Sequence, residues 1–109
     1  MAKQLKFRYK DNDYVLEFNR KTVSTLERNG FKVKELFDFP NVNLPLLWAG
    51  AFLANHKRTK REVIDEIFEN IPDKENIISK LYEMYLEPTE ALFDEPENEE
   101  GKIEWETTF

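Results

Sequence analysis

Few residues of this chain have the side chains from which catalytic or metal sites are built. The 109 residues include one histidine, His56, and no cysteine, which excludes a disulfide framework, a cysteine zinc site and a thiol nucleophile. A single imidazole cannot form a multi-histidine metal site. The three glycines do not form a dinucleotide-binding or phosphate-binding loop. We therefore expect no catalytic residue, no metal and no cofactor, and we predict that the chain is not an enzyme.

Carboxylates are abundant, with 22 Asp and Glu against 16 Lys and Arg. Four of them, Glu62, Asp65, Glu66 and Glu69, fall on the polar face of an amphipathic helical pattern. No apolar residues on that face would remove water from these carboxylates. We expect a solvated helix face rather than a metal site or a general acid.

The strongest positive cluster follows His56 and consists of Lys57, Arg58, Lys60 and Arg61. A net charge of −6 and the lack of interleaved aromatic residues argue against a nucleic-acid site. The alternatives are contact with a protein partner or with the acidic half of the chain itself, and simple solvation. The acidic half is a candidate because residues 62–109 hold sixteen acids and three lysines. We predict that these four residues bind a partner and that nucleic acid does not bind.

Neither membrane insertion nor secretion is expected. The first ten residues contain no apolar run typical of a signal peptide. The longest apolar segment, residues 44–54, is shorter than the roughly 20 residues that a membrane-spanning helix needs. These patterns predict an intracellular domain with no membrane partner.

Alternating apolar residues predict an N-terminal β-hairpin. Residues 5–9 and 14–18 each place three large apolar side chains on one face, and the turn-forming residues 11–13 separate them. The expected register pairs Tyr9 with Tyr14. Because an isolated hairpin is marginally stable in water, its apolar face must pack against helices.

A first helix is predicted over residues 20–29. Asn19 or Thr22 can cap its N-terminus, and Gly30 stands where a glycine commonly ends a helix. Residues 31–39 show no clear periodicity and are interpreted as an irregular connector.

A second helix is predicted over residues 44–54, which are apolar on every side. Such a helix is either the centre of the core or a surface for self-association. We predict Leu46, Leu47, Trp48 and Phe52 as partner-binding residues on this helix.

Two further amphipathic helices complete the predicted domain. Thr59 and Glu62 match a capping box at the start of the third helix, and Pro72 ends it. Asp73 can cap the fourth helix, which Pro88 is expected to break or kink. The fold class is therefore α+β, with the hairpin packed against about four helices.

The composition changes near the C-terminus. We divide the chain into a domain over residues 1–94, an acidic linker over 95–101 and a strand-like tail over 102–109. The tail is either a third strand of the hairpin sheet or a segment that docks on a partner, and its alternation slightly favours the strand. Its bulky residues, predicted as partner-binding, are Ile103, Trp105 and Phe109.

The order of these blocks resembles a family of small proteins from bacteriophages and prophages of Gram-positive bacteria. The resemblance covers residues 5–106. Its blocks are hydrophobic rather than catalytic, and their order is more specific than any one of them. They are LKFRY (5–9), YVLEF (14–18), NRKTV (19–23), ERNGF (27–31), LWAGAF (47–52), VIDEI (63–67), LYEMY (81–85) and an acidic stretch ending at 103–105.

Members of this family look like tail assembly chaperones of phages with long, non-contractile tails. The resemblance implies a protein that binds the tape-measure protein in the bacterial host cytoplasm, keeps that apolar helical chain soluble and helps recruit tail tube protein. It also implies absence from the mature virion, and in related phages a ribosomal frameshift makes an extended form. The resemblance transfers no functional residues.

Two alternatives stay open beside the chaperone. One is a phage-encoded interaction or inhibitor protein that acts on a host protein, and the other is a small nucleic-acid-binding regulator. The partner's binding segment, the oligomeric state, including a homo-oligomer, and the existence of a frameshifted product are equally open.

Overall fold

A computed structural model of the chain describes residues 3–96 and 100–108. Within these residues, a two-stranded antiparallel hairpin is followed by five α-helices and one 3₁₀ turn. The predicted α+β class is confirmed. In chain order the elements are β1 (Leu5–Tyr9), β2 (Asn12–Leu16), α1 (Arg20–Arg28), the 3₁₀ turn (Val33–Glu35), α2 (Pro40–Gly50), α3 (Leu53–His56), α4 (Arg61–Asn70) and α5 (Lys74–Ala91).

The hairpin has the predicted faces but a different register. Phe7 lies opposite Tyr14, so the predicted pairing of Tyr9 with Tyr14 is wrong by two residues. The turn consists of Lys10 and Asp11, whose φ angles are 47° and 64°, as a two-residue loop that follows strand twist requires. A shift of two residues leaves each side chain on its predicted face.

The outer edge of β2 is covered by the chain that follows α2. The Val15 N–H donates to His56 Nε2 (2.9 Å) and the Val15 carbonyl accepts from Asn55 Nδ2 (3.1 Å). The Glu17 N–H donates to the Ala51 carbonyl (3.2 Å). These bonds occupy the groups through which another strand would pair with β2.

The described part of the C-terminal tail does not extend the sheet. Residues 102–108 form neither a helix nor a strand, so the third strand expected there is not formed by them. Phe109 lies outside the described residues. The covered edge of β2 removes one of the two places where such a strand could pair. The division into residues 1–94, 95–101 and 102–109 stays a prediction.

Helix α1 begins and ends as its sequence indicates. Asn19 Oδ1 accepts from the Thr22 N–H, and Thr22 Oγ1 accepts from the Asn19 N–H, both at 2.9 Å, which forms a reciprocal cap. At the other end Gly30 has a φ of +90°, and the Phe31 N–H donates to the Leu26 carbonyl at 3.0 Å. This glycine-terminated ending turns the chain towards the core.

Helix α2 starts earlier than predicted. It begins at Pro40, not Leu44, because a proline at the first helical position gives up no intrahelical hydrogen bond. Pro45 therefore lies inside the helix. At its C-terminus α2 crosses α1 closely, since a Cβ added at Gly50 would lie 2.5 Å from Leu26 Cδ1.

The starts of α4 and α5 differ from their predictions. Lys60, not Thr59, occupies the cap position of α4, and no side chain caps that end, so the predicted box of Thr59 with Glu62 is wrong. Asp73 precedes α5 as predicted but forms no side-chain cap bond there. Helix α5 continues past Pro88, so the predicted break at that residue is also wrong.

The core is built around an aromatic cluster at the C-terminal end of α2. The Trp48 ring lies 5.4 Å from the Phe52 ring and 5.2 Å from the Phe68 ring, between ring centroids. From the hairpin, Phe7 reaches Trp48 at 6.2 Å and Tyr14 reaches Phe52 at 5.8 Å. The hairpin, α2 and α4 are thus joined through one set of rings.

Candidate partner-binding surfaces

The residues predicted on the central helix form the core. Leu47, Trp48 and Phe52 are buried by the chain itself, and Trp48 Nε1 donates to the Ile64 carbonyl at 2.8 Å. Leu46 is half-buried and packs against the same cluster. We assign these residues to the core rather than to a partner surface.

A pocket of about 750 Å³ lies between the first half of α1 and α3 with the turn that follows it. We call it the basic pocket because three cationic side chains, Lys21, Lys57 and Arg58, line it. The other lining residues supply amide, hydroxyl, imidazole and apolar groups. They are Asn19, Thr22, Thr25, Leu53, Ala54, Asn55, His56 and Thr59.

The three cations of the basic pocket form no ion pair with any described residue. Within residues 3–96 and 100–108, no ion pair involves Lys21, Lys57 or Arg58. Lys60 and Arg61 lie outside this pocket, and Arg61 Nε instead pairs with a carboxylate one turn along α4 at 3.2 Å. The structure thus divides the predicted basic run and adds Lys21 to its first half.

The wall of the basic pocket is fixed by the hairpin. Because His56 Nε2 accepts the Val15 N–H, the hydrogen-bonding pattern places the proton of the neutral imidazole on Nδ1. Asn55 Nδ2 is held by Glu17 Oε1 at 2.7 Å and by the Val15 carbonyl. The His56 ring also packs against Tyr14 at 5.1 Å. These bonds hold Lys57 and Arg58 next to α1.

A second surface lies where the connector enters α2. Phe37, Phe39 and Val42 are exposed within six residues of chain, Phe37 by 67% of its surface. We call these three residues the connector patch. Clustered exposed apolar side chains commonly mark interaction sites.

The connector patch borders a groove on α5. The Phe37 ring lies 6.2 Å from the Tyr82 ring, and Ile78 is half-buried beside it. Phe37, Glu75, Ile78, Ser79 and Tyr82 line a cavity of about 480 Å³. An amphipathic helix could lay apolar side chains into such a groove.

Further exposed apolar residues lie in the tail and just after α5. Ile103 and Trp105 are 83% and 82% exposed, and Leu92 and Phe93, which follow α5, are 55% and 82% exposed. Phe109, predicted to act with them, lies outside the described residues.

One predicted acidic residue has a structural role. Glu66 Oε2 accepts from the Tyr9 hydroxyl at 2.9 Å and from Lys10 Nζ at 3.2 Å. The hydrogen bond from Tyr9, followed by the bond and charge of Lys10, lowers the pKa of Glu66. This cluster joins the hairpin turn to α4.

No group of side chains suited to a metal ion occurs among the described residues, nor does a helix with the length and apolarity to span a bilayer.

Comparison with family models now gives the family. The model described as Domain of unknown function (DUF5055) matches residues 1–109. This chain belongs to the DUF5055 family. No curated protein and no solved structure matches it.

Two features of this DUF5055 protein were not predicted from its sequence. Phe37 and Phe39 were assigned only to an irregular segment and Val42 to no element, although two phenylalanines two residues apart without helical spacing are a weak sign of exposure. Lys21 was counted as an ordinary helix residue. No local signal links it to Lys57 and Arg58, because only the fold places the first half of α1 across one pocket from α3 and the turn that follows it.

Proposed function

We propose that this protein is a phage tail assembly chaperone. In this role it binds the tape-measure protein in the host cytoplasm, aids tail tube assembly without catalysis and is absent from the mature virion. The resemblance of residues 5–106 supports the phage assignment. The connector patch with its α5 groove is the observation that supports the binding role.

The connector patch suits a helical, apolar partner. Phe37 and Tyr82 provide aromatic surface, which contributes strongly to binding when a partner covers it. Ile78 provides an aliphatic floor, and the half-open groove leaves room for side chains at helical spacing. A net charge of −6 keeps the complex soluble while these apolar surfaces meet.

Co-expression tests the proposal. The tape-measure protein of the same phage is expressed alone, with this chain, or with a variant carrying Phe37→Ser, Phe39→Ser and Val42→Ser. We expect the wild-type chain to raise the soluble fraction of tape-measure protein several-fold and the connector-patch variant to lose most of that gain.

The matched control removes exposed apolar surface elsewhere. Leu92→Ser with Phe93→Ser deletes comparable side chains and is expected to keep the solubilising effect. If the wild-type chain leaves the tape-measure protein insoluble, the chaperone proposal is wrong. If all three versions solubilise it equally, the connector patch is not the site.

A further inference from the structure

The basic pocket is suited to an anionic occupant. Three cations that form no ion pair among the described residues line one concave surface in a chain whose net charge is −6. Arg58 can bind a carboxylate through two parallel N–H donors, and Lys21 and Lys57 supply mobile ammonium groups. The hydroxyl of Thr25 and the amide of Asn19 add neutral donors at the same wall.

The tail has the complementary chemistry. Residues 94–106 contain seven carboxylates and one lysine. Trp105 stands between two of these carboxylates, Glu104 and Glu106. Because Trp105 is 82% exposed, its indole is free to pack on another surface.

We propose that the basic pocket binds the acidic tail of a second copy of this chain. In this arrangement Glu104 and Glu106 reach the pocket cations, and the Trp105 indole packs on the Arg58 guanidinium as a cation–π contact. The proposal is independent of the tail-assembly function, since it concerns the purified protein alone.

A second copy is favoured over the chain's own tail. None of the described residues in the acidic linker and tail, 94–96 and 100–108, lines the basic pocket, and all of them are exposed. Each copy carries one pocket and one tail, so two copies can exchange tails reciprocally and close into a symmetric dimer. Since the contact depends on exposed charges, salt screens it over a Debye length of about 10 Å at 0.1 M.

Peptide binding to the full-length protein tests the pocket. A fluorescent peptide with the sequence of residues 94–109 is titrated with wild-type protein and with the variant Lys21→Ser, Lys57→Ser, Arg58→Ser. We expect the affinity to fall about tenfold or more in this pocket variant, and wild-type binding to weaken strongly when salt is raised from about 0.1 to 0.5 M.

A control variant removes three cations elsewhere. Lys32, Lys34 and Lys80 are exposed, line none of the pocket and pair with no carboxylate among the described residues. The variant Lys32→Ser, Lys34→Ser, Lys80→Ser has the same net charge as the pocket variant. It should bind the peptide within about twofold of wild type. Equal losses in both variants would overturn the pocket and leave only net charge as the cause.

Sedimentation tests the second copy. Wild-type protein should associate at high concentration and low salt. The pocket variant and a Glu104→Gln, Trp105→Ser, Glu106→Gln tail variant should each remain monomeric, whereas their mixture should form a complex through the one intact pocket and the one intact tail. A wild-type monomer at all concentrations, or a mixture that does not associate, contradicts the proposal. Stronger binding of duplex DNA than of the peptide would assign the pocket to nucleic acid instead.

Discussion

The two tryptophans of this chain have opposite surroundings. Trp48 is 2% exposed, in contact with three phenylalanine rings and hydrogen-bonded through its indole, whereas Trp105 is 82% exposed in a segment without regular structure. Both were candidates for partner contact from sequence. The comparison teaches that position in the fold, and not residue type, decides whether an aromatic side chain of this protein lies in the core or at the surface.

Replacing each tryptophan with alanine should give the largest difference in the free energy of unfolding between the two regions. Trp48→Ala removes a buried side chain and its hydrogen bond and should lower the free energy of unfolding by about 3–5 kcal/mol. Trp105→Ala should change it by less than about 0.5 kcal/mol, as is usual for exposed positions. Urea denaturation of the two variants measures both values.

Similar losses of unfolding free energy in Trp48→Ala and Trp105→Ala would contradict the contrast between the two tryptophans. A large effect of Trp105→Ala at low protein concentration would mean that the tail packs on its own domain. A small effect of Trp48→Ala would mean that the central cluster does not hold the fold together.

The second-largest effect is expected in the way the free energy of unfolding changes with pH. Tyr85 packs between Phe18 and Phe31, and burial, with a smaller contribution from Glu27, raises its pKa from 10.0 to about 12. The unfolded chain releases this proton near pH 10, so stability should fall by about 2 kcal/mol as pH rises towards 12.

Tyr85→Phe isolates that contribution, because it keeps the ring and removes the ionisable group. The variant should lose less stability than the wild type between pH 10 and 12. Parallel alkaline unfolding curves would show that Tyr85 is not buried as described.

A smaller effect is expected at the residue shared by α1 and the basic pocket. Asn19 caps α1 and also lines the pocket. Asn19→Ala should cost about 1 kcal/mol of stability. Asn19→Asp preserves the cap but adds a carboxylate, so it should keep thermal stability while weakening binding of the tail peptide. If Asn19→Ala kept full stability and Asn19→Asp kept full peptide affinity, Asn19 would have neither role.

Local patterns predicted the hairpin and α1 well. The alternation of residues 5–9 and 14–18 determines their faces, and the polar cap at Asn19 marks the helix start. The register was missed because Lys10 and Asp11 form a left-handed turn without the glycine that usually signals it. The prediction that Thr59 caps α4 was wrong. Tertiary contacts of His56 determine the path of the turn after α3, and a local motif cannot reveal such contacts.

The candidate sites were harder to predict because they depend on which elements pack together. Lys57 and Arg58 were identified by their charge, but Lys21 joins them only because the fold places α1 on the opposite side of the same pocket. Trp48 is clearly a large apolar residue, yet the sequence pattern around it does not distinguish burial by the chain itself from burial by a partner.

The connector patch should matter least for stability and most for partner binding. Replacing Phe37, Phe39 and Val42 with serine should shift the free energy of unfolding by no more than about 0.5 kcal/mol per site, since all three are exposed. The same variant should no longer bind the tape-measure protein. Destabilisation by several kcal/mol would instead place the patch in the core and weaken the comparison.

Hydrogen–deuterium exchange of the complex with the tape-measure protein tests the central claim most directly. Amides of residues 36–42 and 75–82 should become protected relative to the free protein, because the partner covers the connector patch and the α5 groove. The amides around Trp48, already protected in the free protein, should change little. A stable complex that leaves residues 36–42 and 75–82 exchanging as in the free protein would contradict the assignment of the exposed aromatic residues to partner binding.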